Sequence, residues 1–326
     1  MISKLQFYMG NGFDPYVNLA KEKYLFDTVQ EDCLLLYLWQ NQNTVVIGKN
    51  QNAFSECRTE LLKEEGGRLA RRLSGGGAVF HDLGNLNFTF ICTTENLDIK
   101  KHMEVIQRAC ALAGIKTELS GRNDILADGR KFSGNAFYNS QGRSYHHGTL
   151  LISADTEKMT RYLTPPKAKL EAKGIKSVKS RVLNLTELAP TLTCETMKAH
   201  LLSAFEAVYG STPEPYIDVD EEKISELAKV FGSWEHLYGT PLPFNVSCQG
   251  QLPFGNMELQ LQVTGGIIRD LQVYTDALDS ELSERIVNTL VSLPFELAAI
   301  RAALSGKLPE QAVQALISLL NDQVFS

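Results

Sequence analysis

The sequence lacks the cysteine spacings and long apolar runs that define several protein classes. Its six cysteines stand far apart, at positions 33, 57, 92, 110, 194 and 248, and form no C-x-x-C pair. This spacing predicts reduced core thiols and neither a disulfide framework nor a zinc site. The apolar run LLLYLW at 34–39 is too short to cross a bilayer, and no signal-like stretch follows the first residues. A cytoplasmic protein without a membrane partner is therefore predicted.

The sequence also lacks an excess of positive charge. Its 32 lysines and arginines against 38 aspartates and glutamates leave a net charge of −6. Because a nucleic-acid binder usually presents a basic surface, no nucleic-acid partner is predicted, although a local basic pocket stays open. The hydrophobic fraction of 44% is ordinary for a globular protein, and 326 residues suffice for a large domain with a smaller appendage.

No regular alternation of strands and helices is present, which favours an α+β fold over a dinucleotide-binding sheet. Helical patterns are predicted over 16–29, 53–66 and 100–115, and strands over 34–40, 44–49, 86–92 and 145–153. The segment 123–138 predicts a hairpin, because Asp128-Gly129 is a favoured turn pair.

A domain boundary is predicted near residues 240–256, where prolines and glycines gather. Beyond it lie a hairpin pattern over 257–276 and helical patterns over 280–292, 296–304 and 309–321. The chain is therefore divided into a large domain over residues 1–245 and a small α+β domain over 246–326.

The segment RRLSGGGAVFHDLGN, residues 71–85, carries three consecutive glycines. Such glycines let backbone N–H groups approach an anion, and Arg71 and Arg72 could add a charge-assisted fork to the same ligand. A bend at a sheet edge with two solvated arginines explains the glycines equally well. The spacing matches neither a P-loop nor a G-x-G-x-x-G turn.

The segment SGRNDILADGRKFSGNAF, residues 120–137, places Lys131 between a tight turn and small residues. A lysine there could bind a phosphate or carboxylate oxygen, and Asn123 and Asp124 could serve a ribose, an amine or Mg²⁺. A solvated strand lysine is the alternative for Lys131.

Two further segments carry possible chemistry. In YHHGTLLIS, residues 145–153, the tandem histidines have no third metal ligand at a helpful spacing, so a structural or ligand-orienting histidine is favoured over zinc. A serine hydrolase is disfavoured because no G-x-S-x-G pattern is present.

The segment over 167–185 has six basic residues and one acid. This charge fits two alternatives equally: a flap that closes over nucleotide phosphates, or a solvated surface loop.

These four segments, in this order, resemble the lipoate–protein ligase A family. The likeness covers about residues 1–245, including an early Phe13-Asp14-Pro15 and Asn18-Leu19-Ala20, and the tail resembles the small accessory domain of two-domain members. The resemblance implies a biotin/lipoate ligase-like α+β catalytic domain with mixed sheets and flanking helices, followed by a small α+β C-terminal domain.

The resemblance also implies a two-step reaction. Lipoate and ATP, with Mg²⁺, would give lipoyl-AMP and pyrophosphate. The lipoyl group would then pass to a lysine of a lipoyl carrier domain, either of a 2-oxoacid dehydrogenase complex or of the glycine cleavage H protein. A monomer without a tightly bound prosthetic group is expected.

Site residues follow from the resemblance, motif by motif. Lys131 would be catalytic and bridge the lipoyl carbonyl and the α-phosphate, and Asp124 could hold Mg²⁺. The ATP and adenylate would contact Arg72, Gly77, Ala78, Val79, Phe80, Asn123, Asp124, Lys131, Lys173, Lys179 and Arg181. Lipoate would contact Arg72, Ser74, Gly75, Gly76, Gly77, Val79, His81, Lys131, Ser133, Gly134, His147 and Gly148. Phe132, where the family often has an aliphatic residue, should point away from Lys131 on a strand.

Two other functions stay open at this point. A lipoyl or octanoyl transferase of the same fold would use a cysteine just before the His-Gly pair, but residues 142–145 contain none. A non-catalytic lipoate-binding protein would not need to keep Arg72, Asp124 and Lys131 together. The ligase is therefore the favoured interpretation.

Overall fold

The computed structural model describes residues 2–121, 124–163, 182–239 and 244–325. Its strands are β1 (Lys4–Met9), β2 (Cys33–Trp39), β3 (Thr44–Ile47), β4 (Arg68–Arg71), β5 (Val79–His81), β6 (Asn85–Thr93), β7 (Glu118–Ser120), β8 (Asp124–Ala127), β9 (Arg130–Ser140), β10 (Arg143–Leu151), β11 (Glu214–Pro215), β12 (Val246–Leu252), β13 (Gly255–Thr264) and β14 (Ile267–Thr275).

The helices of the described residues range from one turn to four. They are α1 (Pro15–Thr28), α2 (Ala53–Glu56), α3 (Thr59–Glu64), α4 (Ile99–Leu112), α5 (Thr156–Tyr162), α6 (Cys194–Tyr209), α7 (Glu221–Phe231), α8 (Trp234–Tyr238), α9 (Leu282–Leu290), α10 (Leu297–Leu304) and α11 (Glu310–Leu320). None of the helices in these ranges is long and apolar enough to span a membrane.

An eight-stranded mixed sheet forms the centre of the large domain, in the order β11-β1-β2-β6-β10-β9-β8-β7. Strands β1 and β2 are parallel, and β6, β8, β9 and β10 pair antiparallel to their neighbours. Side chains alternate between the two faces, so Phe88 and Phe90 of β6 pack with α4 and α6, whereas Ile91 packs on the face of α1 and α7. Helices therefore cover both faces.

A second sheet, in the order β4-β3-β5, presents the glycine segment in the loop between β4 and β5. Strands β2 and β3 follow each other in sequence but belong to different sheets. The prediction of a single helix over 53–66 is wrong. Cys57 is extended and forms a bridge with Leu163, and this break separates α2 from α3. The predicted hairpin is confirmed: β8 and β9 pair antiparallel, and Asp128 and Gly129 both have positive φ.

The C-terminal residues form a third sheet, β12-β13-β14, with α9, α10 and α11. Their buried side chains make a core cluster of their own, drawn from residues 248–320. Strand β12 lies where the sequence predicted only a boundary, and its alternating burial pattern begins at Val246. We call residues 246–325 the C-terminal module.

Candidate functional site

Three of the motifs predicted from the sequence meet on one face of the large sheet. The Ser74 hydroxyl of the glycine loop lies 2.7 Å from Nε2 of His147 on β10. On the same face, His147 pairs with Ala136 of β9, two residues from Gly134. The glycine loop, β9 and β10 therefore form one continuous surface.

Lys131 lies on this surface as a partly exposed ion pair. Its Nζ is 2.7 Å from Asp124 Oδ1, and about a third of each side chain is exposed. The ammonium lies over Gly134, where an added Cβ would come within 2.9 Å of Nζ. The neighbouring Phe132 is fully buried in the core on the α4 and α6 face. The absence of a side chain at Gly134 thus leaves room for a cation that a ligand can reach.

The end of the basic segment lies beside Lys131. The Leu183 N–H donates to the Lys131 carbonyl at 2.8 Å, and Val182 forms a parallel bridge with Lys131. Four of the predicted site residues, Asn123, Lys173, Lys179 and Arg181, lie outside the described residues.

The two arginines before the glycines do not form the expected fork toward a ligand. Arg72 is buried and donates from Nη2 to the carbonyls of Gly75 and Gly77, both at 2.8 Å, and from Nη1 to that of Val46 at 3.2 Å. Burial lowers the pKa of Arg72 to about 10, which leaves it cationic at neutral pH. Arg72 is therefore a brace: its hydrogen bonds hold the backbone of the glycine loop in its observed conformation.

Arg71 likewise donates to backbone carbonyls. Its Nε donates to the carbonyl of His236 at 2.8 Å, and its Nη1 to that of Gln51 at 2.7 Å. Burial lowers the pKa of Arg71 to about 10. The guanidinium joins β4 to α8 and to the turn after β3. Because these carbonyls come from distant segments, no local sequence pattern predicts these bonds.

The glycine loop also touches the C-terminal module. The Gly76 N–H donates to the carbonyl of Ala277 at 2.9 Å, and Gly76 has a φ of +93°. A Cβ at Gly75 would fall 2.2 Å from the same carbonyl oxygen. Nearby, Asn50 donates from Nδ2 to the carbonyl of Ser280 at 2.9 Å. The N–H of Gly76, expected to face an anion, is therefore used by the module in this conformation.

The tandem histidines point to opposite faces of β10. His146 is buried against Phe90 and His102, and its Nε2 lies 2.9 Å from Asn135 Oδ1. Burial lowers its pKa well below the ordinary value, so it is neutral. His147 faces the glycine loop. Of the two, only His147 has access to the site, and His146 is a core residue.

Glu22 of α1 also reaches this site, which the sequence analysis did not predict. Its Oε1 is 2.9 Å from Nδ1 of His147 and accepts the Thr89 hydroxyl at 2.7 Å. The buried side of α1 carries Asn18, Lys21 and Glu22, three polar residues within two turns. Buried polar side chains need partners, so a carboxylate at a core position was the available signal.

The other predicted residues lie around the loop. Val79, Phe80 and His81 form β5, with Ala78 just before it, and Phe80 packs against Tyr162. His81 is buried with Nδ1 3.2 Å from Asn41, and burial lowers its pKa to about 3, which keeps it neutral. Ser133, on β9, is buried.

The cysteines show no sign of catalysis. All six lie in described segments, all are free thiols, and five are buried. Burial raises the pKa of every one, to about 11 or 12. None is a thiolate at neutral pH. Within the described part of the chain, no group of three metal-ligating side chains lies together.

Comparisons with known proteins point to a single family. Residues 14–206 match the lipoyl protein ligase A/B catalytic domain, and residues 242–319 match the bacterial lipoate protein ligase C-terminus. A lipoate-protein ligase A from Bdellovibrio bacteriovorus is 38% identical over 312 residues, which cover 93% of this chain and 92% of that protein. One from Blochmanniella pennsylvanica is 39% identical and covers 89% of each chain.

A solved structure gives the same likeness in three dimensions. The structure of P. falciparum LipL1 in complex with lipoate superposes with a TM-score of 0.86 at 28% identity, and covers 98% of this chain and 99% of that one. The predicted α+β fold, with mixed sheets and flanking helices, is confirmed.

Proposed function

The chain belongs to the lipoate–protein ligase A family, and we propose that it joins lipoate to protein lysines with ATP. The observation that carries the proposal is the placement of Lys131. Its ammonium lies over Gly134, on the sheet face that His147 shares with the glycine loop, and is paired with one carboxylate that a substrate anion can replace. Arg71 and Arg72 are buried and bonded to backbone carbonyls, whereas about a third of the Lys131 side chain is exposed.

In the first step, a lipoate carboxylate oxygen attacks the α-phosphorus of ATP and pyrophosphate leaves. Two anions must approach each other, so the main catalytic requirements are charge neutralisation and alignment. Lys131 supplies a compact positive charge to the lipoyl carbonyl and the α-phosphate. The backbone of Gly77–Phe80 would hold the nucleotide, and the loop of Ser74–Gly77 with Gly134 and Gly148 would border the lipoyl group.

Mg²⁺ fits this site through Asp124 together with substrate phosphates. Asp124 is partly exposed and is the carboxylate that faces Lys131. With no three-residue ligand group in the described ranges, the ion would rely on phosphate oxygens and water, as Mg²⁺ commonly does. The ion would neutralise phosphate charge.

Four further residues stay proposed adenylate contacts: Asn123, Lys173, Lys179 and Arg181. The bridge between Val182 and Lys131 supports them, because it places the end of the basic segment beside the site.

In the second step, the lysine amine of a carrier attacks the lipoyl carbonyl and AMP leaves. The proposed carriers are the lipoyl domains of 2-oxoacid dehydrogenase complexes and the glycine cleavage H protein. Three expectations stay predictions: a monomeric state, a cytoplasmic location and the absence of a tightly bound prosthetic group.

The proposal is tested by the mass of a purified carrier domain. With lipoate, ATP and Mg²⁺, the carrier should gain one lipoyl group on one lysine. With octanoyl thioester and no ATP, it should gain nothing. Modification that needs the thioester and not ATP would instead identify a transferase.

A variant in which all six cysteines are replaced by alanine or serine should retain ligation. Five of the six thiols are buried, and burial raises the pKa of all six to about 11 or 12. Carrier modification by the folded variant should match that of the wild type. Loss of activity with an intact fold would indicate a thioester intermediate.

We propose that residues 1–245 and 246–326 are separate domains. The C-terminal module has its own core and touches the glycine loop through backbone contacts at Gly75 and Gly76. A chain cut after residue 245 should bind lipoate with nearly wild-type affinity, measured by calorimetry. Its turnover should fall because a small domain over a substrate loop can gate closure and carrier access. A folded fragment without lipoate affinity would refute the division.

A further inference from the structure

Strand β9 carries one residue more than its partner β8 beside Lys131. On one side Lys131 pairs with Leu126, and on the other Ser133 pairs with Ile125. Because Ile125 and Leu126 are consecutive, Phe132 is an extra residue in β9. An extra residue in one strand of an antiparallel pair is a β-bulge, which bends the strand and can redirect a side chain.

The bulge reverses the alternation of side chains along β9. Ser133 is buried and pairs with Ile125, so it points into the core that packs with α4 and α6. In a regular strand, Phe132 would then lie on the opposite face with Gly134, and Lys131 would point into the core. In the structure Phe132 is fully buried in that core, and Lys131 Nζ lies over Gly134. The bulge therefore places the ammonium on the face of the site.

The strand pairings on the two sides of the bulge are fixed independently. On one side, the Asp128-Gly129 turn sets Ala127 opposite Arg130, and both turn residues have positive φ. On the other side, residues 135–140 of β9 pair with β10. One surplus residue lies between these two registers, so the strand must bulge there.

The Phe132 ring holds the bulge in place from the core. It is fully buried, in the same core cluster as Ile125 and Leu183. The Leu183 N–H also donates to the Lys131 carbonyl at 2.8 Å, so the backbone just before the bulge is tied to this core. The Lys131 side chain gives the bulge little support of its own, because its ion pair with Asp124 is partly exposed. Burial of the Phe132 ring is therefore the main force that selects this arrangement.

We propose that Phe132 is a positioning residue, whose burial fixes the β-bulge that directs Lys131 toward the substrates. This inference rests on the proposed ligase function and adds a residue that acts from the opposite face of the sheet. A small displacement of a reacting or charge-bearing group can lower a rate by orders of magnitude. Loss of the ring should therefore slow the formation of lipoyl-AMP although the ammonium of Lys131 is still present.

A double-mutant cycle on the full-length protein separates positioning from a general structural role. Single-turnover formation of lipoyl-AMP is measured for the wild type, Phe132→Ala, Lys131→Met and the double variant. Phe132→Ala should lower the rate by roughly 10–10²-fold. In the Lys131→Met background the same substitution should change the rate by less than about twofold, because the group that it positions is already absent.

Two further variants control for the loss of core packing. Phe132→Leu keeps an apolar side chain in the core and should retain most of the wild-type rate. Phe205→Ala is the matched control, because Phe205 is an equally buried phenylalanine of the same core, on α6. It should also lower the stability but leave the rate of the folded protein near that of the wild type. If Phe132→Ala does not fold, Phe132→Val, which removes less of the side chain, replaces it in the cycle and should show the same pattern with a smaller fall.

A wild-type rate in the folded variant of Phe132 that enters the cycle would overturn the proposal. Equal falls with and without the Lys131 ammonium would also overturn it, as would a similar fall in Phe205→Ala. Failure of the ligase function itself would be distinguishable, because the wild type would then form no lipoyl-AMP from lipoate and ATP.

Discussion

Replacing Lys131 with methionine should lower the rate of lipoyl-AMP formation by roughly 10²–10³-fold. Methionine keeps most of the length and the apolar stem but removes the ammonium that pairs with Asp124 over Gly134. The lost charge matters most as negative charge gathers on the oxygens of the α-phosphorus. Lys131→Arg should restore little, because a planar guanidinium does not replace a point charge above a glycine.

The measurement for Lys131 is single-turnover adenylate formation with lipoate and ATP. Lys223→Met is the matched control, because it removes a lysine that pairs with Asp220 at 3.1 Å on the surface of α7. Its rate should equal the wild-type rate, since exposed ion pairs contribute little. A rate for Lys131→Met near the control would remove Lys131 from the mechanism.

Replacing Arg72 with lysine should lower the free energy of unfolding by about 2–5 kcal/mol and abolish most lipoate binding. Arg72 donates to the carbonyls of Gly75, Gly77 and Val46 from one plane. An ammonium cannot reach these acceptors together, so buried carbonyls lose their partners and the glycine loop loses its shape.

Denaturant unfolding followed by lipoate calorimetry tests the role of Arg72. Arg68→Lys is the control, because Arg68 makes an exposed pair with Asp14 at the start of β4. Its stability should stay within about 0.5 kcal/mol of the wild type. If Arg72→Lys is as stable as this control but binds no lipoate, Arg72 contacts the ligand directly and the brace interpretation is wrong.

Local patterns predicted most of the fold. The hairpin of β8 and β9 follows from Asp128-Gly129, and α1 begins at Pro15 because the Asp14 side chain accepts the Tyr16 N–H. Local patterns did not predict the break in the helix over 53–66. The break depends on the bridge of Cys57 to Leu163, which joins residues more than 100 positions apart.

The candidate site was predicted in its components but not in their connections. The motifs did indicate Lys131, Gly134 and His147, which the fold brings to one surface. The backbone bonds of the arginines could not be predicted, because their acceptors come from the turn after β3, from α8 and from the loop itself, and a ligand contact of Arg72 stays a prediction. Glu22 was missed because its partner His147 is 125 residues away.

The central claim is that this chain forms lipoyl-AMP, and ATP–pyrophosphate exchange without any carrier tests it most directly. With lipoate and Mg²⁺, labelled pyrophosphate should enter ATP. The exchange should vanish when lipoate is omitted and should fall by roughly 10²–10³-fold in Lys131→Met. Absence of exchange in a folded wild-type protein that still acylates a carrier from an octanoyl thioester would contradict the account.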